Sequence, residues 1–240
     1  DIELISLMIL AKFKSIDSEH QLFREIKGFE IRPNIEKSVY NRRKRKLFPF
    51  IEEIRMKMVD KLNESENYFI VDSMPLEVCK ISRSFRSKIC KDVDYAYPNK
   101  GFCASQNLHF YGYKLHAVCS ISSVFQSFDI SPASVHDIHY LQDIKLQMSD
   151  CVLLGDKGYL SQTIQLDLFK EVNIELETPK RKNQKDYKPQ FYQFKKYRKR
   201  IETLFSQLCN QFMIRRNYAK TFEGFKTRIL AKITTLTTIQ

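Results

Sequence analysis

Apolar and polar positions along the chain change rhythm twice, dividing it into a helical start, a β-rich middle and a helical end. Residues 1–66 read as helical. Ser18 followed by Gln21 has the spacing of a capping box, which starts a helix by satisfying free backbone N–H groups. Pro33 and Pro49 punctuate this region, and Asn63 to Asn67 reads as a polar linker.

The middle carries short β-type runs. Tyr68-Phe69-Ile70-Val71 ends on Asp72, with Pro75 close behind. Phe110 to Cys119 alternates enough for a strand, and Val124 to Ile130 reads as another, closed by Ser131-Pro132. Ala133 to Gln147 reads as a helix. Cys151 to Leu154 is a compact apolar strand followed by Gly155-Asp156-Lys157-Gly158. Ser161 can cap a helix running to about Val172, and Asn173 to Thr178 is a last strand, stopped by Pro179. Strands alternating with helices late in the order predict a mixed sheet with helices packed on it.

Beyond the strands, Phe194, Tyr197, Ile201, Leu204, Phe205, Leu208 and Phe212 recur at the spacing of an amphipathic helix. Gly224 reads as a break before a final helix over roughly 225–238, whose Thr-rich end is a poor helix former.

Composition permits a real core, since 43% of the 240 residues are hydrophobic and 12% aromatic. That excludes disorder throughout and allows one large domain, or a medium domain with a small appendage. The formal net charge of +12 points to a polyanionic partner, either nucleic acid or an anionic membrane. The excess is local: residues 178–200 carry ten Lys/Arg against one acid, Asp186, while residues 1–66 are near balance. The run Arg42-Arg43-Lys44-Arg45-Lys46 is either a solvated helix face or a contact for DNA. No stretch approaches the roughly eighteen apolar residues of a membrane span. The apolar start, Leu4 to Leu10, follows Asp1 and Glu3, where a secretory signal would carry positive charge. The expectation is a cytoplasmic protein without a membrane partner. The chain does not begin with Met, which leaves a fragment open. None of Cys79, Cys90, Cys103, Cys119, Cys151 and Cys209 forms a CxxC pair, so they read as reduced thiols, several of them core residues, with zinc a minor alternative.

Three acids stand out chemically. Asp72 and Asp156 each follow an apolar strand, where ligand sites in open α/β sheets collect. Glu202 lies on the amphipathic helix beside Ile201, and an acid beside an apolar seam must be solvated, paired or bound to metal. Three carboxylates from separate elements can hold two divalent cations about 3.5–4 Å apart, the kind of site that cuts phosphodiesters. Mg²⁺ suits a few carboxylates with water and phosphate oxygens. The bland reading is that an Asp after a strand is a turn residue.

Four segments carry a resemblance: IVDSMP around Asp72, YGYKLH at 111–116, LLGDKGYL at 153–160 and RKRIETLFSQL at 198–208. Asp72 and Asp156 are 84 residues apart, and Glu202 is 46 further on. Together they resemble bacterial insertion-sequence transposases of the DDE type, over about residues 68–238. The nearest group is the one typified by insertion sequence 982, within the insertion-sequence-4-like clan. The resemblance implies an α/β fold: an RNase H-like mixed sheet flanked by helices over 67–240, with a small helical region over 1–66 for DNA binding or dimerisation. It implies two Mg²⁺ or Mn²⁺ ions held by Asp72, Asp156 and Glu202. It further implies action on the terminal inverted repeats of a mobile element and on target DNA, by a homo-oligomer at the bacterial nucleoid. Related enzymes carry a Tyr–Arg–Glu–Lys signature around the final acid. Arg198 matches it, but Lys195 and Cys209 occupy its Tyr and Lys positions, so a role specific to that signature is not carried over.

Arg198 and Glu202 stand four apart on one helix and are therefore neighbours. Arg198 either orients the carboxylate, binds a phosphate in bidentate fashion, or makes a surface ion pair of little worth. His136 and Asp137 are candidates to support the metal ligands, whereas His116 reads more plainly as a hydrogen-bonded core residue. Candidate DNA contacts are Lys114, Lys157, Lys180, Arg181, Lys182, Lys185, Lys195, Lys196, Arg198, Lys199 and Arg200. Phe191, Tyr192, Phe194 and Tyr197 interleave with them, which suits unstacked DNA ends, though Phe194 and Tyr197 also belong to the apolar stripe. Two other functions remain open at this point: an RNase H-like nuclease that only hydrolyses, and an inactive remnant that binds DNA.

Overall fold

In the computed structural model, which describes residues 1–27, 35–180, 187 and 189–240, the chain opens with four helices. They are α1 (Ile2–Phe13), α2 (Glu19–Ile26), α3 (Lys37–Lys46) and α4 (Phe48–Leu62). Ser18 caps α2 by accepting from the Gln21 N–H at 3.4 Å. The Gln21 side chain donates instead to Glu25 at 3.0 Å. Pro49 sits in the first turn of α4, where its missing N–H costs nothing. Pro33 lies outside the described residues.

The sheet is built from β1 (Tyr68–Cys79), β2 (Asn99–Cys103), β3 (Leu108–Ser120), β4 (Phe125–Pro132), β5 (Cys151–Leu154) and β6 (Ile174–Glu177). β3 pairs antiparallel with β1 and with β4, while β5 pairs parallel with β1 and β6 parallel with β5. Hence β4-β3-β1-β5-β6 is the mixed order of an RNase H-like domain, and the α/β expectation holds. β2 is an addition that the pattern did not reveal. It shares β3's outer edge with β4, taking Leu108 to Gly112 while β4 takes Tyr113 to Cys119.

Two sequence expectations need correction here. Asp72 does not end its strand, because β3 continues to pair with β1 as far as Cys79. β5 leaves β1 after Ile70, so one edge of β1 is open beyond that point, a setting in which a strand tolerates Pro75. Residues 133–136 are not helical either. The Ala133 N–H donates to the Gly112 carbonyl, and Asn99 holds both the amide and the hydroxyl of Ser134 at 2.7 Å. The helix therefore shrinks to a 3₁₀ turn at Asp137–His139 and α5 (Tyr140–Lys145).

One face of the sheet is covered by α5 and α6 (Gln162–Val172). Phe69, Val71, Val118, Cys151, Leu153, Ile174 and Leu176 pack there against Tyr140, Leu141, Ile144, Tyr159 and Leu168. Alternation along β1 turns Tyr68, Ile70 and Asp72 to the opposite face. There Tyr68 meets Phe194 and Tyr197 of α7 (Tyr192–Asn210), with ring centroids 6.2 and 6.1 Å apart.

By contacts the chain forms two compact units, and their division differs from a boundary near residue 66. One comprises Lys61–Phe85 and Pro98–Ser206, and holds the sheet. The other comprises Asp1–Asp60, Arg86–Tyr97 and Gln207–Gln240, and is helical. The reason lies in α8 (Phe222–Thr238), which is buried from Phe225 to Thr237 at most positions and packs on α1 and α3. Gly224 is not a break: it lies in the first turn of α8, and its N–H is capped by the Thr221 hydroxyl at 3.3 Å. The Thr-rich end is helical and buried as far as Thr237, where the Thr235 and Thr237 hydroxyls donate to carbonyls one turn back instead of being left unpaired. The six cysteines are free thiols, and among the described residues no helix is long and apolar enough to cross a membrane.

Gly112 of the YGYKLH segment is the tightest point of the sheet. It stands at φ +157° opposite the bulge between Glu77 and Cys79, and a Cβ there would lie 2.2 Å from the Leu76 carbonyl oxygen. Gly112→Ala is expected to destabilise the protein by about 3 kcal/mol, the upper end of overpacking costs. Urea unfolding measures it, and an unchanged midpoint would show that the bulge relaxes freely.

Candidate active site

The register of two parallel strands brings Asp72 and Asp156 together. Ile70 pairs with Leu154 on the last rung between β1 and β5. Asp72 and Asp156 each lie two residues beyond that rung, one continuing β1 and one in the turn after β5. Each carboxylate has its Oδ1 held by a backbone amide at 2.7 Å: Ser73 N–H donates to Asp72, and Gly158 N–H to Asp156. Gly158 is needed for this turn, since a Cβ there would lie 2.9 Å from Asp156 Oδ1.

Asp72 is in an unfavourable place for a charge. Burial pushes its carboxyl up to about 7. The Ser73 N–H works against that rise, Asp156 adds to it, Arg198 opposes it and Asp137 adds again. Asp72, Asp156, Asp137 and Arg198 are therefore electrostatic neighbours, with Arg198 reaching in from α7 on the face that Asp72 shares with Tyr68. A buried carboxylate with acidic neighbours fits a divalent cation, whose charge would oppose the burial and the repulsion that raise Asp72. Glu202 lies exposed on α7, one turn beyond Arg198. Among the described residues no three His, Cys, Asp or Glu side chains stand grouped to hold a metal ion.

The supporting residues fall into distinct roles. Asp137 accepts from Lys114 Nζ at 2.9 Å, and Lys114 also donates to the Val135 carbonyl at 3.0 Å, so this lysine is tied inward. His136 caps the 3₁₀ turn, its Nδ1 accepting from the Ile138 N–H at 3.3 Å. His116 is a core residue: its Nε2 lies 2.7 Å from Ser131 Oγ and its ring stacks on Tyr140. Lys157, Lys180, Lys195, Lys196, Lys199 and Arg200 are exposed, while Arg181, Lys182 and Lys185 lie outside the described residues. Phe191 and Tyr192 are exposed, and Phe194 and Tyr197 are half-buried against Tyr68.

Tyr159 escaped the sequence reading. Its hydroxyl is buried and has no hydrogen-bond partner among the described residues. Burial, then the charges of Asp137, Asp72 and Asp156, hold its proton well beyond the usual phenol range. The only sequence signal was its place in GDKGY, three residues after Asp156.

Burial also pushes the His116 imidazole down to about 4, against an upward pull from Asp137, a downward push from Lys114 and an upward pull from Asp129. An unfolded His takes its proton near 6.5, so between pH 6.5 and 4 the unfolded chain binds more protons, and stability falls as pH drops through that window. In NMR the His116 ring is expected to stay neutral down to about pH 4. Denaturation at pH 7 and 4.5 should show a smaller acid loss for His116→Gln than for the parent. A ring titrating near 6.5 would place His116 in solvent.

Comparison with known proteins follows the same lines. Among solved structures, the Mos1 transposase paired-end complex with left transposon end is similar at 11% identity. The match covers 95% of this chain and 74% of that one, with a TM-score of 0.27, too loose a superposition to carry an argument. No curated protein matches the chain by sequence. The transposase DDE domain family matches residues 64–238, a span that contains the whole sheet, the Asp72–Asp156 pair and α7. The chain belongs to the transposase DDE domain family.

Proposed function

We propose that this chain cuts DNA at the terminal inverted repeats of an insertion sequence and joins the freed ends to target DNA. The insertion-sequence-4-like clan, nearest insertion sequence 982, is the home proposed for it. The observation that carries the reading is the Asp72–Asp156 pair two residues past the Ile70–Leu154 rung, in a chain of this family. Asp72 and Asp156, with Glu202 as the third acid, would hold two Mg²⁺ or Mn²⁺ ions. When bound, such ions activate the attacking oxygen and stabilise the leaving one.

The chain's own groups supply the rest. Ser73 and Gly158 fix one oxygen of each aspartate, which leaves the second oxygen of each for the cation. Arg198 sets a positive charge beside Asp72, where a scissile phosphate can take it as a bidentate partner. Glu202 follows one turn later along α7, and its place as third acid rests on the RKRIETLFSQL resemblance. Lys114 orients Asp137 rather than contacting phosphate. The DNA track is assigned to Lys157 and the basic segment 178–200, including Arg181, Lys182 and Lys185. Water attacks first and releases a 3′-hydroxyl, which then attacks target DNA. The working form is a homo-oligomer on DNA at the bacterial nucleoid.

The test uses the purified chain, Mg²⁺, a duplex carrying the repeats that flank its own coding sequence, and a target plasmid. Nicking that leaves a 3′-hydroxyl and a joined product is expected. Asp156→Asn keeps the side chain's shape but loses its charge. It should lower cleavage by more than about a hundredfold, the scale seen even for outer partners of metal ligands, while DNA affinity stays unchanged. Near-parental cleavage by Asp156→Asn would remove Asp156 from the site. Nicking without any joined product would make the enzyme a hydrolase of the same fold.

A further inference from the structure

The helical unit holds a charge cluster that the cutting chemistry does not use. Lys12, Lys44, Arg228 and Lys232 act on one another and on two acids, Asp17 and Glu19. Lys12 and Lys232 both reach Asp17 Oδ1, at 3.1 and 2.9 Å. Lys44 and Arg228 both reach Glu19, at 3.0 and 3.1 Å. Lys12, Lys44 and Lys232 are all buried. Four cations thus share two carboxylates, and in such surroundings unmatched charge is costly. Burial accordingly drives both Lys44 and Lys232 down to about 8, in spite of their acid partners.

A cavity of about 230 Å³ opens on this cluster, lined by Glu19, Asn41, Lys44, Arg45, Thr227 and Arg228. It is below the roughly 300–1,000 Å³ of a small-molecule site. At about 30 Å³ per water, it has room for an ion with a few waters. Arg45 is half-buried in its wall and has no carboxylate partner among the described residues. Arg42 and Lys46 flank it on α3, exposed and likewise without one. A pocket sized for one anion, with surplus cations inside and exposed cations beside it, suits one phosphate of a longer polyanion.

We propose that this pocket is a phosphate-binding site that seats one backbone phosphate of duplex DNA on Arg45, Arg228 and Lys44, a second hold on the substrate within the helical unit. The choice of DNA as the source rests on the function proposed above, whereas the phosphate chemistry does not. Arg45→Glu is the test variant, because it changes the pocket without touching the buried ion pairs, with Arg45→Lys as rescue and the exposed Arg42→Gln as control.

Two measurements separate the sources. In the first, the melting temperature is followed with inorganic phosphate replacing chloride at constant ionic strength. A rise is expected for the parent, Arg45→Lys and Arg42→Gln, and its loss in Arg45→Glu, since a ligand of the folded state stabilises it by mass action. In the second, affinity for a generic duplex is measured across salt concentrations. Arg45→Glu should weaken binding about tenfold, the worth of one charge-assisted hydrogen bond. It should also flatten the slope of log affinity against log salt by about 0.9. No phosphate-dependent rise in the parent overturns the site. A rise that Arg45→Glu abolishes, with DNA affinity and slope unchanged in that variant, overturns DNA as its source and leaves free phosphate. A parent that binds no DNA sinks the proposed function, while the phosphate arm still decides the pocket.

Discussion

A short parallel pairing between β1 and β5 sets the geometry of the candidate site. Only Tyr68 to Ile70 pair with Val152 to Leu154, yet that register puts Asp72 and Asp156 at the same level past the last shared rung. Asp72 cannot withdraw, because β3 holds β1 along almost its full length. Asp156 cannot withdraw either, because its oxygen caps the turn that starts at Lys157. Backbone hydrogen bonding across the sheet thus holds two acids near enough to act on each other electrostatically. Burial first, with the Asp156 charge adding to it, keeps the Asp72 carboxyl raised to about 7.

The neighbouring motif residues make sense as supports for that contact. Gly112 permits the close approach of β3 to the β1 bulge, Lys114 pins Asp137, and His116 fills the core against Tyr140 as a neutral ring. In the second motif Gly158 donates its amide to Asp156, and the buried Tyr159 hydroxyl lies in the field of Asp137, Asp72 and Asp156. Most positions that carry the resemblance therefore act on geometry.

Charge imbalance recurs in the two units with opposite sign. In the sheet unit, acids crowd Asp72. In the helical unit, cations outnumber the acids beside them. Neither arrangement is what stability alone favours, since like charges at short range in a low dielectric repel strongly. Sites that bind ions of the opposite charge have this character, because the ligand supplies the missing countercharge.

Local pattern was enough to place β3 to β6, the Ser161 cap, the amphipathic run of α7 and Asp156 just past β5, because side-chain alternation and capping act between near neighbours. The length of β1 was decided elsewhere, by pairing with a strand some forty residues on, as were the presence of β2 and the unwinding of 133–136 by Asn99. The solvated or DNA-facing choice for Arg42–Lys46 missed a third outcome, the burial of Lys44 against Glu19, which needs two distant helices to meet. Likewise α8 joins α1 and α3, and Tyr159 acquires acid neighbours from three separate segments. Periodicity along one chain reports which side of an element is apolar. It carries no information on which distant element will cover that side, and at Lys44, Tyr159 and Asp72 it was the cover that set the charge.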